Sequence, residues 1–254
     1  MLLSTEGITK KFGGVQALAE IDMVVPRGGI HGLIGPNGSG KSTLFNVISG
    51  FYRPTKGRIT FQGRPITGLR ADQIAKAGIA RTFQNLRLFR SMSVLDTVLV
   101  GMSRNSGSGP LQMLLSPRKV LSRDAEQRAA AAQILEFMGL ARVAGEITDN
   151  LPYGMQKLVE IARAYAAKPL LLLLDEPAAG LNNTETKNLR SVLYKICHEN
   201  VTILLVEHDM SLVMEVCDTV TVLNFGQKIC HGNPHEVSRD PGVIEAYLGR
   251  TAAC

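Results

Sequence analysis

The sequence predicts an α/β protein built on a parallel sheet, and three observations lead to this fold class. Residues 170–174 and 201–206 are short apolar runs that end in acidic residues, in PLLLLLDEP and VTILLVEHD. Such runs are typical of parallel strands that are buried on both faces and present polar groups at their carboxyl ends. Segments with helical spacing of apolar residues separate the strand candidates. Strands that alternate with helices favour a parallel α/β sheet.

The first third of the chain predicts short strands and turns. The strand candidates lie in LLSTEGITKKFGG, IDMVVPRGG and GIHGLIG, and a hairpin is predicted around GRITFQGRPI. A helix is predicted from Lys41 through Ile48. Residues 101–123 are rich in Gly, Ser and Pro, so we expect a surface loop or short helices there.

Two further helices are predicted in the middle of the chain. Residues 124–140 carry apolar side chains at helical spacing, and Gly139 is expected to end that helix. A second helix follows Gly154, because four residues fall at i, i+3, i+4 and i+7: Leu158, Ile161, Ala162 and Tyr165.

Composition limits the classes of protein that this chain can belong to. The 254 residues are 45% hydrophobic and 20% charged, which argues against disorder, collagen and coiled coil. The length suggests one large domain, or one core with an inserted subdomain. The chain has no Trp and no dense Lys/Arg cluster, so we expect no nucleic-acid partner. The net charge of +6 is typical of a moderately basic soluble protein. The alternative interpretations are that the charge binds an anionic ligand or an anionic membrane surface.

Cellular location can also be predicted from the sequence. The longest aliphatic run, residues 170–174, is much shorter than the roughly 20 residues of a membrane-spanning helix. The start, MLLSTEGITKK, has no apolar region of a secretory signal. The cysteines have no CxxC spacing and are interpreted as reduced thiols: Cys197, Cys217, Cys230 and Cys254. We therefore expect a cytosolic chain that does not cross a bilayer by itself.

A glycine-rich segment predicts a phosphate site. It matches GxxxxGK[ST] and lies between a strand candidate and a helix candidate; its residues are Gly35, Pro36, Asn37, Gly38, Ser39, Gly40, Lys41 and Ser42, followed by Thr43. Glycines let successive backbone N–H groups point at phosphate oxygens, and the helix adds its positive end. Lys41 is expected to reach the β- and γ-phosphates, and the Ser42 hydroxyl to hold Mg²⁺.

An acidic pair follows the strand candidate at residues 170–174. Asp175 can bind Mg²⁺ through its water shell, and Glu176 can orient and deprotonate an attacking water. A solvated strand end is the alternative for such a pair taken alone. Together with the phosphate loop, the pair predicts hydrolysis of a nucleoside triphosphate.

With these motifs the chain resembles the nucleotide-binding subunit of ATP-binding cassette (ABC) transporters. The resemblance implies an adenine-stacking role for Phe12 in KKFGG, with core packing as the alternative. It implies that Gln84 in RTFQN senses Mg²⁺ and the γ-phosphate, and that His208 in VEHDM contacts the γ-phosphate and positions water. Residues 179–182 match the loop that touches an opposite ATPase subunit.

The signature segment departs from the family pattern. The usual LSGGQ is replaced by LPYGM at residues 151–155. Pro152 offers neither hydroxyl nor N–H, and Met155 replaces the Gln. Backbone N–H groups near Gly154 and the helix dipole could still bind phosphate. We hypothesise one weaker composite ATP site within a heterodimer.

Four blocks resemble one branch of the family, the LivG-type ATPases of bacterial branched-chain amino acid importers. They are LPYG, LDEPAAGLN, VEHDMSLVMEVCD and the tail from VLNFGQ to YLG. This resemblance implies a P-loop NTPase (RecA-like) core with an N-terminal antiparallel β-subdomain, at residues 1–84 and 159–254. It also implies an inserted helical subdomain at residues 85–158 that includes the signature.

The same resemblance implies cofactors, partners and a location. These are ATP and Mg²⁺, a second ABC ATPase subunit, two transmembrane permease subunits and a periplasmic solute-binding protein, at the cytoplasmic face of the bacterial inner membrane. Permeases are expected to dock on the segment after Gln84, and subdomain core is the equal alternative for its apolar residues: Leu86, Leu88, Phe89, Val94 and Leu95. The alternatives for function are import of a related solute (urea, amides or organic acids), a related exporter, an ABC protein acting on DNA or ribosomes, and a P-loop kinase or binding module.

Overall fold

The computed structural model describes residues 1–83, 86, 88–89, 91–102 and 117–248, and of residues 117–123 and 248 it describes the backbone alone. An antiparallel sheet in the order β2-β1-β4-β5 opens the chain. Its strands are β1 (Leu3–Phe12), β2 (Val15–Val25), β4 (Lys56–Phe61) and β5 (Arg64–Pro65). Gly13 and Gly14 form a two-residue turn that pairs Phe12 with Val15. The predicted hairpin around GRITFQGRPI is confirmed, because Phe61 pairs with Arg64.

The second sheet has six strands in the order β10-β9-β3-β8-β7-β6. They are β3 (Ile30–Ile34), β6 (Ile79–Arg81), β7 (Leu171–Asp175), β8 (Thr202–Val206), β9 (Thr219–Asn224) and β10 (Gln227–Gly232). Every pair except β10 with β9 is parallel. All residues of β3, β7 and β8 are buried, as expected for strands covered on both faces. The predicted parallel α/β sheet is confirmed.

The helices of the described residues connect and cover these strands. They are α1 (Lys41–Ile48), α2 (Ala71–Ala77), α3 (Val94–Met102), α4 (Pro117–Phe137), α5 (Tyr153–Ala166), α6 (Asn183–His198), α7 (Met210–Val216), α8 (Pro234–Val237) and α9 (Pro241–Leu248). No helix in this part of the chain combines the length and apolarity that crossing a bilayer would need.

The start predicted for the helix at residues 124–140 was wrong, whereas the prediction that Gly139 ends this helix is confirmed. Helix α4 starts at Pro117, where a proline is tolerated because the first N–H has no partner inside a helix. It ends at Phe137, and Gly139 takes a left-handed φ of 76° while the Leu140 N–H is donated to the Leu135 carbonyl at 2.7 Å. The expected loop or short helices at 101–123 thus give way to a long helix from 117, and residues 103–116 lie outside the described residues.

The chain forms two compact units. One consists of Met1–Arg81, Leu170–Ala179 and Thr186–Cys254, and it contains both sheets. The other consists of Thr82–Pro169 and Gly180–Glu185, and it contains α3, α4 and α5. In the first unit, buried side chains of both sheets pack against α1 in one hydrophobic cluster that includes Ile8, Leu18, Leu33 and Phe45. This packing fixes α1 between the sheets and so positions the loop before it.

Candidate functional site

The phosphate loop, residues 35–42, needs glycine at two positions. Gly35 has a φ of 148°, and a Cβ there would lie 2.1 Å from the Leu223 carbonyl oxygen. Gly40 has a φ of 106°, and a Cβ there would lie 2.9 Å from the Ala17 carbonyl oxygen. Both residues combine a left-handed backbone with close approach to a neighbouring strand, so a side chain would displace the loop.

The N-terminus of α1 is open for an anion. The N–H groups of Lys41, Ser42 and Thr43 have no partner within the helix, since the first four N–H groups of an α-helix never do. No side chain caps this end, and its first turn contains no acidic residue. The partial positive charge of the helix end therefore stays available, and the loop fits a phosphate group.

Lys41 lies at this end of α1 and is 6% exposed. Its Nζ donates hydrogen bonds to the Gly35 carbonyl at 2.7 Å and to the Pro36 carbonyl at 2.9 Å. Burial lowers the pKa of Lys41, and the negative charges of Glu176 and Asp175 oppose that shift. The ammonium thus lies within electrostatic reach of both predicted carboxylates.

The predicted carboxylates and the predicted histidine follow neighbouring strands. Asp175 at the end of β7 pairs with Val206 at the end of β8. Glu176 takes a left-handed φ of 47°, and its N–H is donated to the Val206 carbonyl at 2.9 Å. This conformation brings Glu176 Oε2 to 3.9 Å from His208 Nδ1. The structure therefore brings Glu176 and His208 together, and Glu176 lies within electrostatic reach of Lys41 in the phosphate loop.

The oxygen donors predicted for Mg²⁺ suit a hard cation. Asp175 is 4% exposed, whereas Ser42 lies exposed in the first turn of α1. The described residues contain no group of three or more His, Cys, Asp or Glu side chains that could hold a metal ion alone. Mg²⁺ is commonly held by one or two protein groups together with phosphates and waters, and this donor set fits such a site. Gln84, the third predicted ligand, lies outside the described residues.

Phe12 is not a core residue, because its side chain is 42% exposed. Its ring makes an edge-to-face contact with Tyr52 at a centroid distance of 5.2 Å. Lys10 Nζ lies 4.8 Å from the Phe12 centroid and 5.7 Å from that of Tyr52. The core-packing alternative is thus excluded, and adenine stacking by Phe12 stays a prediction. Sequence reasoning missed Tyr52, whose contact with Phe12 no local spacing indicates.

The signature segment belongs to the other unit. Helix α5 starts at Tyr153, and Pro152 at its N-cap provides no side-chain hydrogen bond. Gly154 is buried, and a Cβ there would lie 2.4 Å from Glu185 Oε1. Close packing against Glu185 is therefore one reason for glycine at position 154. Phosphate binding at this residue stays a prediction.

The apolar residues considered for docking differ in exposure. Val94 is fully buried in the helical unit, so it is core. Phe89 is 51% exposed and remains a candidate for docking. Leu86, Leu88 and Leu95 are intermediate.

Glu207 is a site residue that sequence reasoning missed. It is fully buried, and its carboxylate accepts the Ala178 N–H at 2.8 Å and the His208 N–H at 3.2 Å. Burial raises the pKa of Glu207, and these backbone donors oppose the shift. The side chain thereby joins the loop after β7 to the loop after β8. A glutamate next to the predicted histidine was the only available signal.

Comparison with known proteins identifies the family. The profile of the family described as "ABC transporter" matches residues 18–179, and that of "Branched-chain amino acid ATP-binding cassette transporter" matches residues 227–253. The chain is 43% identical to the high-affinity branched-chain amino acid transport ATP-binding protein LivG of Escherichia coli K12, over 98% of each chain. It is 41% identical, over 98% of each chain, to BraF of Pseudomonas aeruginosa, which has the same description.

Solved structures agree with this assignment. A nucleotide-free ATP-binding cassette from an ABC transporter superposes with a TM-score of 0.86 at 34% identity, covering 98% of this chain and 99% of that one. The ADP conformation of another such cassette gives 0.86 at 35% identity, covering 98% of each chain. A bacterial ABC transporter cassette solved as a dimer gives 0.77 at 25% identity, covering 92% of this chain and 99% of that one. The chain therefore belongs to the ABC transporter family, as one of its nucleotide-binding ATPase cassettes.

Proposed function

We propose that this chain is the ATP-hydrolysing subunit of an ABC importer and energises the uptake of branched-chain amino acids through partner permeases. The distance of 3.9 Å between Glu176 and His208, at the end of the sheet where Lys41 lies, carries the proposal of hydrolysis. The similarity to LivG and BraF, both of which are branched-chain amino acid transport proteins, supports the solute class.

Each side chain has one role in the proposed hydrolysis. The loop N–H groups and Lys41 bind the β- and γ-phosphates and stabilise the charge that develops on the transferred phosphoryl group. Glu176 orients the attacking water and accepts its proton. His208, within reach of Glu176, holds the water in line with the γ-phosphate. Phe12 stacks on the adenine.

The proposed Mg²⁺ ligands are Ser42, Asp175 and Gln84. A bound Mg²⁺ would neutralise phosphate charge during transfer. Asp175 would act through the metal's water shell, since the ion dehydrates reluctantly. The exposed Ser42 hydroxyl would provide the ligand from the phosphate loop.

The proposed assembly is a transporter. We expect a head-to-tail pair with a second ATPase subunit in which Gly154 approaches the nucleotide of the partner. Two permease chains would dock near Phe89, and a periplasmic receptor would deliver the solute. The location would be the cytoplasmic face of the bacterial membrane. Residues 85–158 would act as the inserted helical subdomain, and residues 1–84 and 159–254 as the nucleotide-binding core.

The test is uptake of labelled leucine by cells of the source organism that lack this chain. We expect uptake at submicromolar leucine to be lost on deletion, restored by the wild-type chain and not restored by Glu176→Gln at equal abundance. Excess isoleucine or valine should compete with the label. Competition by urea, amides or organic acids, or uptake unaffected by the deletion, would contradict the proposed solute.

A further inference from the structure

Arg81 connects three elements of the first unit at the predicted nucleotide site. It ends β6, and its guanidinium lies between helix α1 and the end of β7. Nη2 donates to Asp175 Oδ2 at 2.9 Å. Nη1 donates to Asn46 Oδ1 at 2.6 Å and to Ser49 Oγ at 2.8 Å, both on or next to the C-terminal half of α1.

This guanidinium is held in a closed environment. The side chains of Arg81 and Asp175 are 9% and 5% exposed. The Arg81 Cζ lies 5.6 Å from the ring centroid of Phe45 and 5.5 Å from that of Phe51, within the distance of cation–π contacts. Aromatic rings and hydrogen-bond acceptors together leave the guanidinium little freedom to turn.

The contact with Arg81 restricts the Asp175 carboxylate. A planar guanidinium fixes the direction of each N–H, so the bond to Oδ2 orients the carboxylate. The other branch of the same group anchors this orientation to α1, the helix whose first turn provides Lys41 and Ser42. Arg81 therefore links the Asp175 carboxylate to the helix that provides Ser42, the other predicted Mg²⁺ ligand.

We propose that Arg81 is a positioning residue that sets the Mg²⁺ affinity of the nucleotide site by holding Asp175 in register with helix α1. The proposal rests on the proposed function, because it requires that ATP and Mg²⁺ bind at this site. In this proposal Arg81 acts through its contacts with Asp175 and α1.

Arg81→Lys tests this directly. Lysine keeps the positive charge, so the substitution does not by itself strengthen the attraction of Asp175 for a cation. Its single ammonium cannot donate hydrogen bonds in fixed directions to Asp175, Asn46 and Ser49 at once. The readout is the binding of ADP and of a non-hydrolysable ATP analogue to the purified chain, titrated with Mg²⁺ and repeated in EDTA. We expect the Mg²⁺ concentration that gives half-maximal nucleotide binding to rise about tenfold, because the variant loses one charge-assisted hydrogen bond to Asp175. Nucleotide affinity in EDTA should stay within about twofold of the wild type, since Lys41 and the loop remain.

Arg70→Lys is the matched control. Arg70 also binds an aspartate, because its guanidinium donates two hydrogen bonds of 3.0 Å to Asp72. This pair is exposed, with Arg70 just before α2 and Asp72 in its first turn. The control should bind Mg²⁺ and nucleotide as the wild type does. Direct Mn²⁺ binding, followed by electron paramagnetic resonance, provides a second measurement of metal affinity.

Each outcome has one meaning. An Mg²⁺ affinity of Arg81→Lys equal to or higher than that of the wild type would overturn the proposed role of Arg81. An equal loss of nucleotide affinity with Mg²⁺ and in EDTA would overturn it as well. A wild-type chain without Mg²⁺-dependent nucleotide binding would instead contradict the proposed function. If Arg81→Lys does not fold, Ser49→Ala decides, because it removes one anchor of Arg81 and leaves the contact with Asp175. That variant should raise the Mg²⁺ requirement severalfold, and an unchanged requirement would overturn the proposal.

Discussion

Glu176 has a left-handed backbone that glycine would adopt more readily, and it lies 3.9 Å from His208. Such strained conformations cost about 1–3 kcal/mol and are common where side-chain position matters for chemistry. The hydrogen bond that the Glu176 N–H donates to the Val206 carbonyl holds this conformation. At the scale of residues, the assignment of Glu176 as the base is therefore the first to test.

Glu176→Gln should abolish turnover and keep nucleotide binding. Glutamine keeps the shape but cannot accept a proton, so we expect phosphate release to fall at least about 100-fold. ATP affinity, measured by equilibrium binding, should stay within about twofold. Glu199→Gln, an exposed glutamate after α6, is the control and should hydrolyse ATP normally. Persistent turnover in Glu176→Gln would make the base assignment wrong.

His31 makes stability depend on pH. It is 1% exposed in β3, its ring nitrogens contact the hydroxyls of Thr219 and Thr221 at 2.8 and 3.0 Å, and its ring stacks on His231. Burial, with a smaller contribution from His231, lowers the pKa of His31 from 6.5 to about 4. The unfolded chain therefore binds the proton first as pH falls, and the contribution to stability, present above pH 6.5, is lost towards pH 4.

His31→Gln should reduce this dependence. The lost contribution amounts to about 3 kcal/mol across that range, at 1.36 kcal/mol per pKa unit. We expect the free energy of unfolding, measured in urea at several pH values, to fall less steeply below pH 6.5 in the variant than in the wild type. His235→Gln, an exposed histidine, should follow the wild type. If the free energy of unfolding fell equally steeply with pH in His31→Gln and wild type, the conclusion that His31 is neutral in the folded protein would be wrong.

Sequence reasoning finds some site residues and misses others for a physical reason. Asp175 and Glu176 follow an apolar run, and Lys41 belongs to a local spacing, so each has a signal within a few residues. Arg81 and Asp175 are 94 positions apart, and Glu207 and Ala178 are 29 apart. Only the order of strands in the sheet brings such pairs together, and no local pattern records it.

At the scale of elements, the turn between β9 and β10 supports the phosphate loop. Gly226 donates its N–H to the Ser39 carbonyl at 2.9 Å and has a φ of 76°. A Cβ there would lie 2.6 Å from the Ala17 carbonyl oxygen. The turn thus contacts the loop and leaves no room for a side chain.

Gly226→Ala should weaken nucleotide binding. The methyl group would push the turn away from Ala17 and break the bond to Ser39, so we expect a severalfold rise in the Kd for ADP. Gly63→Ala is a matched control, because Gly63 has a φ of 74° in a hairpin but open space around its Cβ position. It should cost about 1 kcal/mol of stability through strain alone and leave the Kd unchanged. Equal effects on the Kd in both variants would contradict a role for the β9–β10 turn.

Elements with strong periodicity are predicted best. Lys41–Ile48 forms α1 as expected, and both apolar runs form adjacent parallel strands. The start of α4 at Pro117 was missed because residues 117–123 follow a Gly- and Ser-rich stretch and include three basic residues. The composition of residues 117–123 therefore gives no signal that the helix extends back to Pro117.

At the scale of the whole molecule, the family, the fold and the sheet topology agree with a transporter ATPase. The described residues contain no helix that could span a membrane, and the formal net charge is +6. This positive charge would favour an anionic membrane surface, which is the location proposed for this chain.

The role of this chain in an importer is best tested by extracting the tagged chain from its native membranes in mild detergent and identifying the proteins that remain bound. We expect two permease chains and a second, different ATPase cassette to remain bound in a defined ratio. Recovery of the chain alone from the soluble fraction, or together with ribosomes or DNA, would contradict its role as the ATPase subunit of an importer.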